Sequence, residues 1–469
     1  MTSATHRSAA EIGRTATGPR PLPPLGSQSP AADLSHVDTT LSNGLRVVAV
    51  RKATVPLVEV RVWIPFAGED KLHPATAEVL AETLLTGTAR RDRVEIDAEL
   101  ALIGGDLGTG VDPERLYVTG SALSSGLPTL LDVLGDVFTG ATYTDAEVGR
   151  ERERLIERIA VSRTQPRTIA REALQKQRYG DHPATREVPQ ASDVEVVTPE
   201  QVRALHAASV LPRGSVLVIV GDIDPQTVPA DLERALGGWA SDRSALRLPA
   251  LPELTGGNVL LVPRSGAVQS QIRLSAQTVP RTDPRYPSLQ LANLAYGGYF
   301  SSRLVENIRE DKGYTYGAHS GFEFTDQNAT VNVDADTANE VTAAALLETR
   351  YELGRLGLVP PTADEVESVR QYAIGSLLTS TSSQTGLAGQ VMALASTGLG
   401  VEWLQEHPAR IAAVTGEQVA QAALDFFAPK RFTGVVVGDA DLLGPKLTAL
   451  GDVTVGEEAV GEETAGEQA

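Results

Sequence analysis

Thr198-Pro199-Glu200-Gln201-Val202 recurs later in the chain as Thr415-Gly416-Glu417-Gln418-Val419. At the same offset Val218-Ile219-Val220-Gly221-Asp222-Ile223-Asp224 recurs as Val435-Val436-Val437-Gly438-Asp439-Ala440-Asp441, and Pro212 falls on Pro429. A single offset held through several kinds of local pattern implies two copies of one domain rather than a short-period solenoid. Thr198 and Thr415 read as helix N-caps, each with a Gln three residues on, the pairing that closes a capping box. Each helix then ends near its proline. The β-branched run that follows suits a buried strand, and Gly-Asp breaks it.

Working outward, the first copy opens with Gly44-Leu45-Arg46-Val47-Val48-Ala49-Val50 and Val58-Glu59-Val60-Arg61-Val62-Trp63-Ile64. The second of these alternates apolar and polar, as a half-exposed strand does. The second copy opens with Val259-Leu260-Leu261-Val262 and Ser270-Gln271-Ile272-Arg273-Leu274. Helical patterns fall around 75–85, 92–103, 127–139, 145–163, 287–296, 338–356 and 363–379. Leu236 to Gly257, rich in Pro, Gly and Ser, reads as the connection between copies. The expected organisation is a disordered arm (1–35), a first domain (36–238), a linker (239–257), a second domain (258–448) and a disordered acidic tail (449–469). Sheets flanked by helices, repeated once, give an α+β class.

Composition narrows the functional classes. The 469 residues exceed one ordinary core, and 42% hydrophobic content is ample for burying two. The absence of cysteine excludes disulfides, thiolate metal sites and cysteine nucleophiles, and fits a reducing compartment. Met1 to Pro30 has no apolar core of signal-peptide length, and its prolines and Glu11 fit poorly with a transit peptide. No run approaches the roughly 18 apolar residues of a membrane helix. A cytoplasmic protein is expected. The net charge of −19 argues against a nucleic-acid partner.

The chemistry is concentrated in Glu78-Val79-Leu80-Ala81-Glu82, which runs into Thr86-Gly87-Thr88. This stretch resembles the inverted zinc motif His-x-x-Glu-His of the pitrilysin/insulinase metallopeptidases with its chemical groups replaced. Aligned through Gly87-Thr88, the two histidine ligands fall on Glu78 and Glu82 and the catalytic glutamate falls on Ala81. Alanine cannot take a proton from water, so no peptide hydrolysis by the family mechanism is expected of the chain alone. Further blocks are similar to the family. They include Leu41 to Val47, Leu102-Ile103-Gly104-Gly105, Tyr179 to Pro183, Val220-Gly221-Asp222, Gly297 to Leu304 and Arg309 to Tyr316.

The resemblance implies two homologous α/β-roll domains, each a mixed sheet covered by helices, forming a half-shell that faces a second such chain around a chamber. Extended peptides would bind there by adding a strand to a sheet edge. The third metal ligand of active members falls on Glu157 or Arg158. An all-carboxylate site could hold a hard cation; the alternative is that Glu78 and Glu82 form a solvated helix face or pair with an arginine such as Arg158. The seven histidines, His73 among them, form no pair at ligand spacing.

Arg309 and Tyr316 have the spacing of a pair that family members use beside the zinc. An arginine can orient a peptide through its carbonyls, and a tyrosine hydroxyl can stabilise an oxyanion. Against this, Arg309 can be a surface arginine beside Glu310, Tyr316 can pack at a strand end, and Tyr314 competes for the hydroxyl role. Gly108-Thr109-Gly110 stands where active members have an Asn-Ala on the substrate edge, and reads as flexible backbone with few side-chain contacts. The expectation is thus a non-catalytic, substrate-binding subunit of a heterodimeric zinc peptidase. It would have no metal of its own, with zinc carried by a His-x-x-Glu-His partner. A structural subunit of a larger assembly and a non-catalytic peptide-binding homodimer are the alternatives.

Overall fold

A computed structural model describes residues 34–456, together with a short pairing of Arg14–Thr15 with Gly18–Pro19. The rest of the arm expected at 1–35 and the tail glutamates from Glu457 onward lie outside the described residues.

Two six-stranded mixed sheets form the frame. The first contains β1 (His36–Thr40), β2 (Arg46–Arg51), β3 (Leu57–Pro65), β4 (Asp106–Val111), β5 (Arg115–Leu123) and β6 (Val216–Gly221), in the order β1-β2-β6-β3-β5-β4. The second contains β7 (Val259–Pro263), β8 (Gln269–Gln277), β9 (Thr315–Phe324), β10 (Ala329–Ala338), β11 (Thr433–Gly438) and β12 (Val453–Val455), in the order β9-β10-β8-β11-β7-β12. Five strands of each sheet correspond one to one, including the central parallel pairs β2/β6 and β7/β11. The sixth differs. An N-terminal strand, antiparallel, closes the first sheet, and a C-terminal strand, parallel, closes the second.

This is the α+β architecture in two homologous halves that the repeat implies. Both capping boxes are present, with near-identical geometry: Gln201 N to Thr198 Oγ1 and Gln418 N to Thr415 Oγ1 are each 3.3 Å. The ordered chain runs past the boundary expected at 448, because β12 pairs with β7 and buries Val453 in the second core. The helical pattern around 338–356 overran its strand: β10 continues to Ala338 and the helix is Thr342–Leu358.

Each half has one apolar core between its sheet and its own helices. The opposite faces of the sheets are covered by exchange. The Gln384–Ala395 helix, from the second half, lays Leu387, Ala388, Val391 and Leu394 on Val48, Val50, Val216, Val218 and Val220 of the first sheet. The Pro166–Tyr179 helix, from the first half, sets Ala170 and Leu174 on Val262, Val435 and Val437 of the second. Burial at about 1.5–3 kcal/mol for each large aliphatic side chain makes these crossings a major link between halves. Gln384 adds a polar anchor, donating to the carbonyls of Lys52, Val55 and Leu57 at 2.6, 3.0 and 3.0 Å. No helix among the described residues is long and apolar enough to cross a membrane.

Candidate functional site

The degenerate motif lies on the His73–Thr83 helix, which has Pro74 in its first turn, where a missing N–H costs nothing. His73 begins this helix, with Nε2 2.8 Å from the Phe66 carbonyl. Ala75, Ala77, Val79, Leu80 and Ala81 are buried, so Glu78 and Glu82 share the remaining face. Arg158, on the Asp145–Thr164 helix, reaches Glu82 Oε1 at 2.8 Å, while Glu157 is exposed. Burial pushes the Glu78 carboxyl up to about 7; the Glu82 charge adds to this and Arg158 opposes it. One carboxylate is therefore held by a guanidinium and the other readily keeps its proton. A guanidinium seated on Glu82 and an alanine at position 81 do not fit a hydrolytic zinc site. Among the described residues no group of three or more His, Cys, Asp or Glu is arranged to hold a metal.

The adjoining edge strand is β4. Thr109 Oγ1 donates to the Ala81 carbonyl at 2.6 Å, tying this edge to the motif helix. A Cβ at Gly110 would lie 2.2 Å from the Tyr117 hydroxyl. The glycine there makes room for an aromatic ring lying across the edge, a packing reason that composition alone does not disclose.

In the second half, the Tyr286–Asn293 helix continues into a π-helical turn, Leu294–Gly298, and a second π-helical turn covers Glu306–Asp311. Widened turns of this kind recur at functional sites. A Cβ on Gly297 would come within 2.8 Å of Ser320 Oγ, so only glycine lets the first turn press against β9. Arg309 sits on the second turn and Tyr316 on β9. The structure brings them together: the Arg309 guanidinium is 5.8 Å from the Tyr316 ring centroid and 4.7 Å from that of Phe300. Tyr316 is 94% exposed and Phe300 62%, so neither ring packs inward. Tyr314, by contrast, packs against the second core. Arg309 approaches Glu310 only at 3.5 Å. Phe300 went unassigned in the sequence, although it lies between the two glycines and Arg303 of a block already singled out.

A cavity of about 1060 Å³ lies between the halves, and a smaller pocket over Glu78 shares Asp112, Pro113 and Glu187 with it. Its walls carry both signs of charge. Arg178, from the first half, is buried and pairs with Glu323 of β9 at 2.8 Å. Glu114 and Asp326 meet across the halves, with Asp326 N 3.4 Å from Glu114 Oε2. Burial, with Asp326 close by, pushes Glu114 up to about 7. Burial raises Asp326 as well.

Two family models match the chain: "Insulinase (Peptidase family M16)" over residues 46–191 and "Peptidase M16 inactive domain" over residues 197–372. An uncharacterized zinc protease of Mycobacterium tuberculosis is 28% identical over 362 residues, 75% of this chain and 79% of the relative. Among solved structures, a peptidase M16 inactive domain from Pseudomonas fluorescens superposes with a TM-score of 0.79 at 21% identity, covering 87% of this chain and 98% of that one. A protease from Helicobacter pylori gives 0.79 at 17% identity, covering 86% and 99%.

Proposed function

The chain belongs to the M16 (insulinase) family of peptidases, and from that premise we propose that it is the non-catalytic, substrate-binding subunit of a heterodimeric zinc metallopeptidase acting on extended peptides in the cytoplasm. The observation that carries this reading is the contrast between its two sites. The motif helix has Ala81 in place of a base and Arg158 seated on Glu82, while Arg309, Tyr316 and Phe300 form a solvent-facing group held by packed turns.

The partner's zinc would supply Lewis-acid activation of the scissile carbonyl and of water. In this chain the Arg309 guanidinium donates to peptide carbonyl oxygens and fixes the extended backbone. The Tyr316 hydroxyl donates to the oxyanion as it develops. Phe300 stacks against Arg309 and restricts the directions in which the guanidinium can point.

The test is reconstitution. The purified chain is mixed with an M16 chain carrying His-x-x-Glu-His, and cleavage of unstructured peptides is followed. Neither chain alone should cleave efficiently, and the mixture should. Tyr316→Phe and Arg309→Ala should each lower kcat/KM by about 10²-fold, the scale of losing one oxyanion donor. An inactive mixture, or variants with undiminished activity, would overturn the reading.

A further inference from the structure

We propose that the second half carries a docking groove for a basic amphipathic helix of a partner protein, along the Thr342–Leu358 helix. The proposal does not depend on the function proposed above. This helix sets Leu346, Leu353 and Leu356 into the second core. It leaves Leu347, Tyr351 and Leu358 outside, each more than half exposed. At steps of four and seven residues the three stand on one face, an apolar stripe of about three turns. Beside Leu347 and Tyr351 lies a groove of about 940 Å³, also lined by the π-helical turn Glu306–Asp311 and by the exposed Val359. An exposed apolar patch rimmed by polar groups marks an interaction surface.

The fold does not require this stripe. In the first half the Leu127–Gly140 helix holds the corresponding place: it follows β5 through the short turn Ser124–Gly126, as Thr342–Leu358 follows β10 through Asn339–Val341. Its sixth and tenth residues, the counterparts of Leu347 and Tyr351, are Asp132 and Asp136. Arg90 and Arg91 engage both carboxylates. The same surface is charged and satisfied in one half, and apolar and uncovered in the other.

The rim sets the charge of the occupant. The cations that line the groove are committed: Arg303 to Glu365 at 2.8 and 3.0 Å, Lys312 to Glu348 at 3.1 Å and Arg355 to Glu352 at 3.1 Å. Glu306 and Asp311 are exposed and form no ion pair among the described residues. Free carboxylates beside an apolar stripe complement apolar side chains flanked by Lys or Arg, and they repel the phosphates of nucleic acid and anionic lipid. A helix laid along the stripe meets it with its own i, i+4 and i+7 anchors, the helix-in-groove mode of recognition. The chain's net charge of −19 disfavours a second copy in the same place.

Fluorescence anisotropy of the full chain with three labelled peptides tests this. The first is Leu-Lys-Lys-Leu-Leu-Lys-Leu repeated twice; the second has the same composition rearranged so that its leucines share no helical face; the third has Glu in place of Lys. The first should bind saturably, with Kd of about 10–100 µM, and the other two at least about tenfold more weakly. Leu347→Ser with Tyr351→Ser should weaken the first peptide about tenfold. Glu306→Gln with Asp311→Asn should weaken it about fivefold, a difference that shrinks in about 0.5 M salt. The peptide comparison uses the unmodified protein, so it stands even if a variant folds poorly. The proposal is overturned by no saturation at about 1 mM chain, by a rearranged or glutamate peptide that binds as tightly as the first, or by either folded double variant with unchanged affinity. Self-association of the native chain that Leu347→Ser with Tyr351→Ser abolishes would place a second copy in the groove and overturn it as well.

Discussion

Replacing Arg178 with methionine should destabilise both halves at once. Its side chain is 2% exposed and comes from the first half, where it donates to Gln175 Oε1 at 3.1 Å, yet its other partners are Glu323 at 2.8 Å, Ser275 Oγ at 3.2 Å and Asn332 Oδ1 at 3.3 Å in the second. Removing one member of a buried ion pair costs about 3–5 kcal/mol, mainly because the other charge is left unpaired. Here Glu323 keeps 34% of its side chain exposed. Water screens the orphaned carboxylate, and the expected loss falls to about 2–4 kcal/mol. Burial alone would raise Glu323, but Arg178 brings it below its ordinary value. The pair's contribution is therefore present at neutral pH and is lost as pH falls through that lowered value. Urea unfolding at pH 7.5, followed by tryptophan fluorescence and circular dichroism, measures the cost. Because the Pro166–Tyr179 helix seals the second sheet, both probes should move together in one transition. Adding Glu323→Gln to Arg178→Met should recover about 1–2 kcal/mol. A loss below about 1 kcal/mol, strict additivity of the two changes, or a separate early transition confined to one half would refute the reasoning.

Rebuilding the zinc motif tests the inference about Arg158. Glu78→His, Ala81→Glu and Glu82→His together should bind zinc at least about tenfold more weakly than the same set with Arg158→Glu, measured by competition with a chromophoric chelator. Glu78 gives a pH signature. The folded state keeps a proton that the unfolded chain releases between 4.5 and about 7, so stability falls as pH rises through that window and levels off above it. Glu78→Gln should therefore be more stable than the native chain at pH 8, by about 1–2 kcal/mol after allowance for partial exposure, and no more stable at pH 4. Melting curves at the two values decide it. Val453→Asp should cost about 2–4 kcal/mol by placing a charge in the second core, whereas a tail without structure would tolerate it unchanged.

The frame was legible because the repeat preserves hydrogen-bonding devices as well as hydrophobicity: Thr198 and Thr415 cap their helices with the same partners at the same distances. The two exchanged helices were not legible, and the reason is physical. Gln384–Ala395 contains Gly386 and Gly389 and is apolar over much of its surface, so it has little amphipathic periodicity to read. Pro166–Tyr179 begins with a proline that reads as a break although it occupies the first turn. At the motif, spacing left Glu157 and Arg158 as alternatives, and only the rotation of the Asp145–Thr164 helix turns Arg158 onto Glu82. The Arg309–Tyr316 spacing was visible, but the exposure of Tyr316 and the ring of Phe300 beneath the guanidinium depend on two π-helical turns that periodicity does not encode.

The exchange of the Pro166–Tyr179 and Gln384–Ala395 helices has a consequence for how the chain can be divided. Each half lends the other the helix that covers its outer face, so the molecule has the logic of a domain-swapped dimer whose two members share one polypeptide. Cutting the connection between Trp239 and Gly257 would release two fragments, each with a bare valine-rich sheet face and a helix whose buried face has lost its cover. Neither fragment is equipped to be soluble alone, and each is the natural complement of the other.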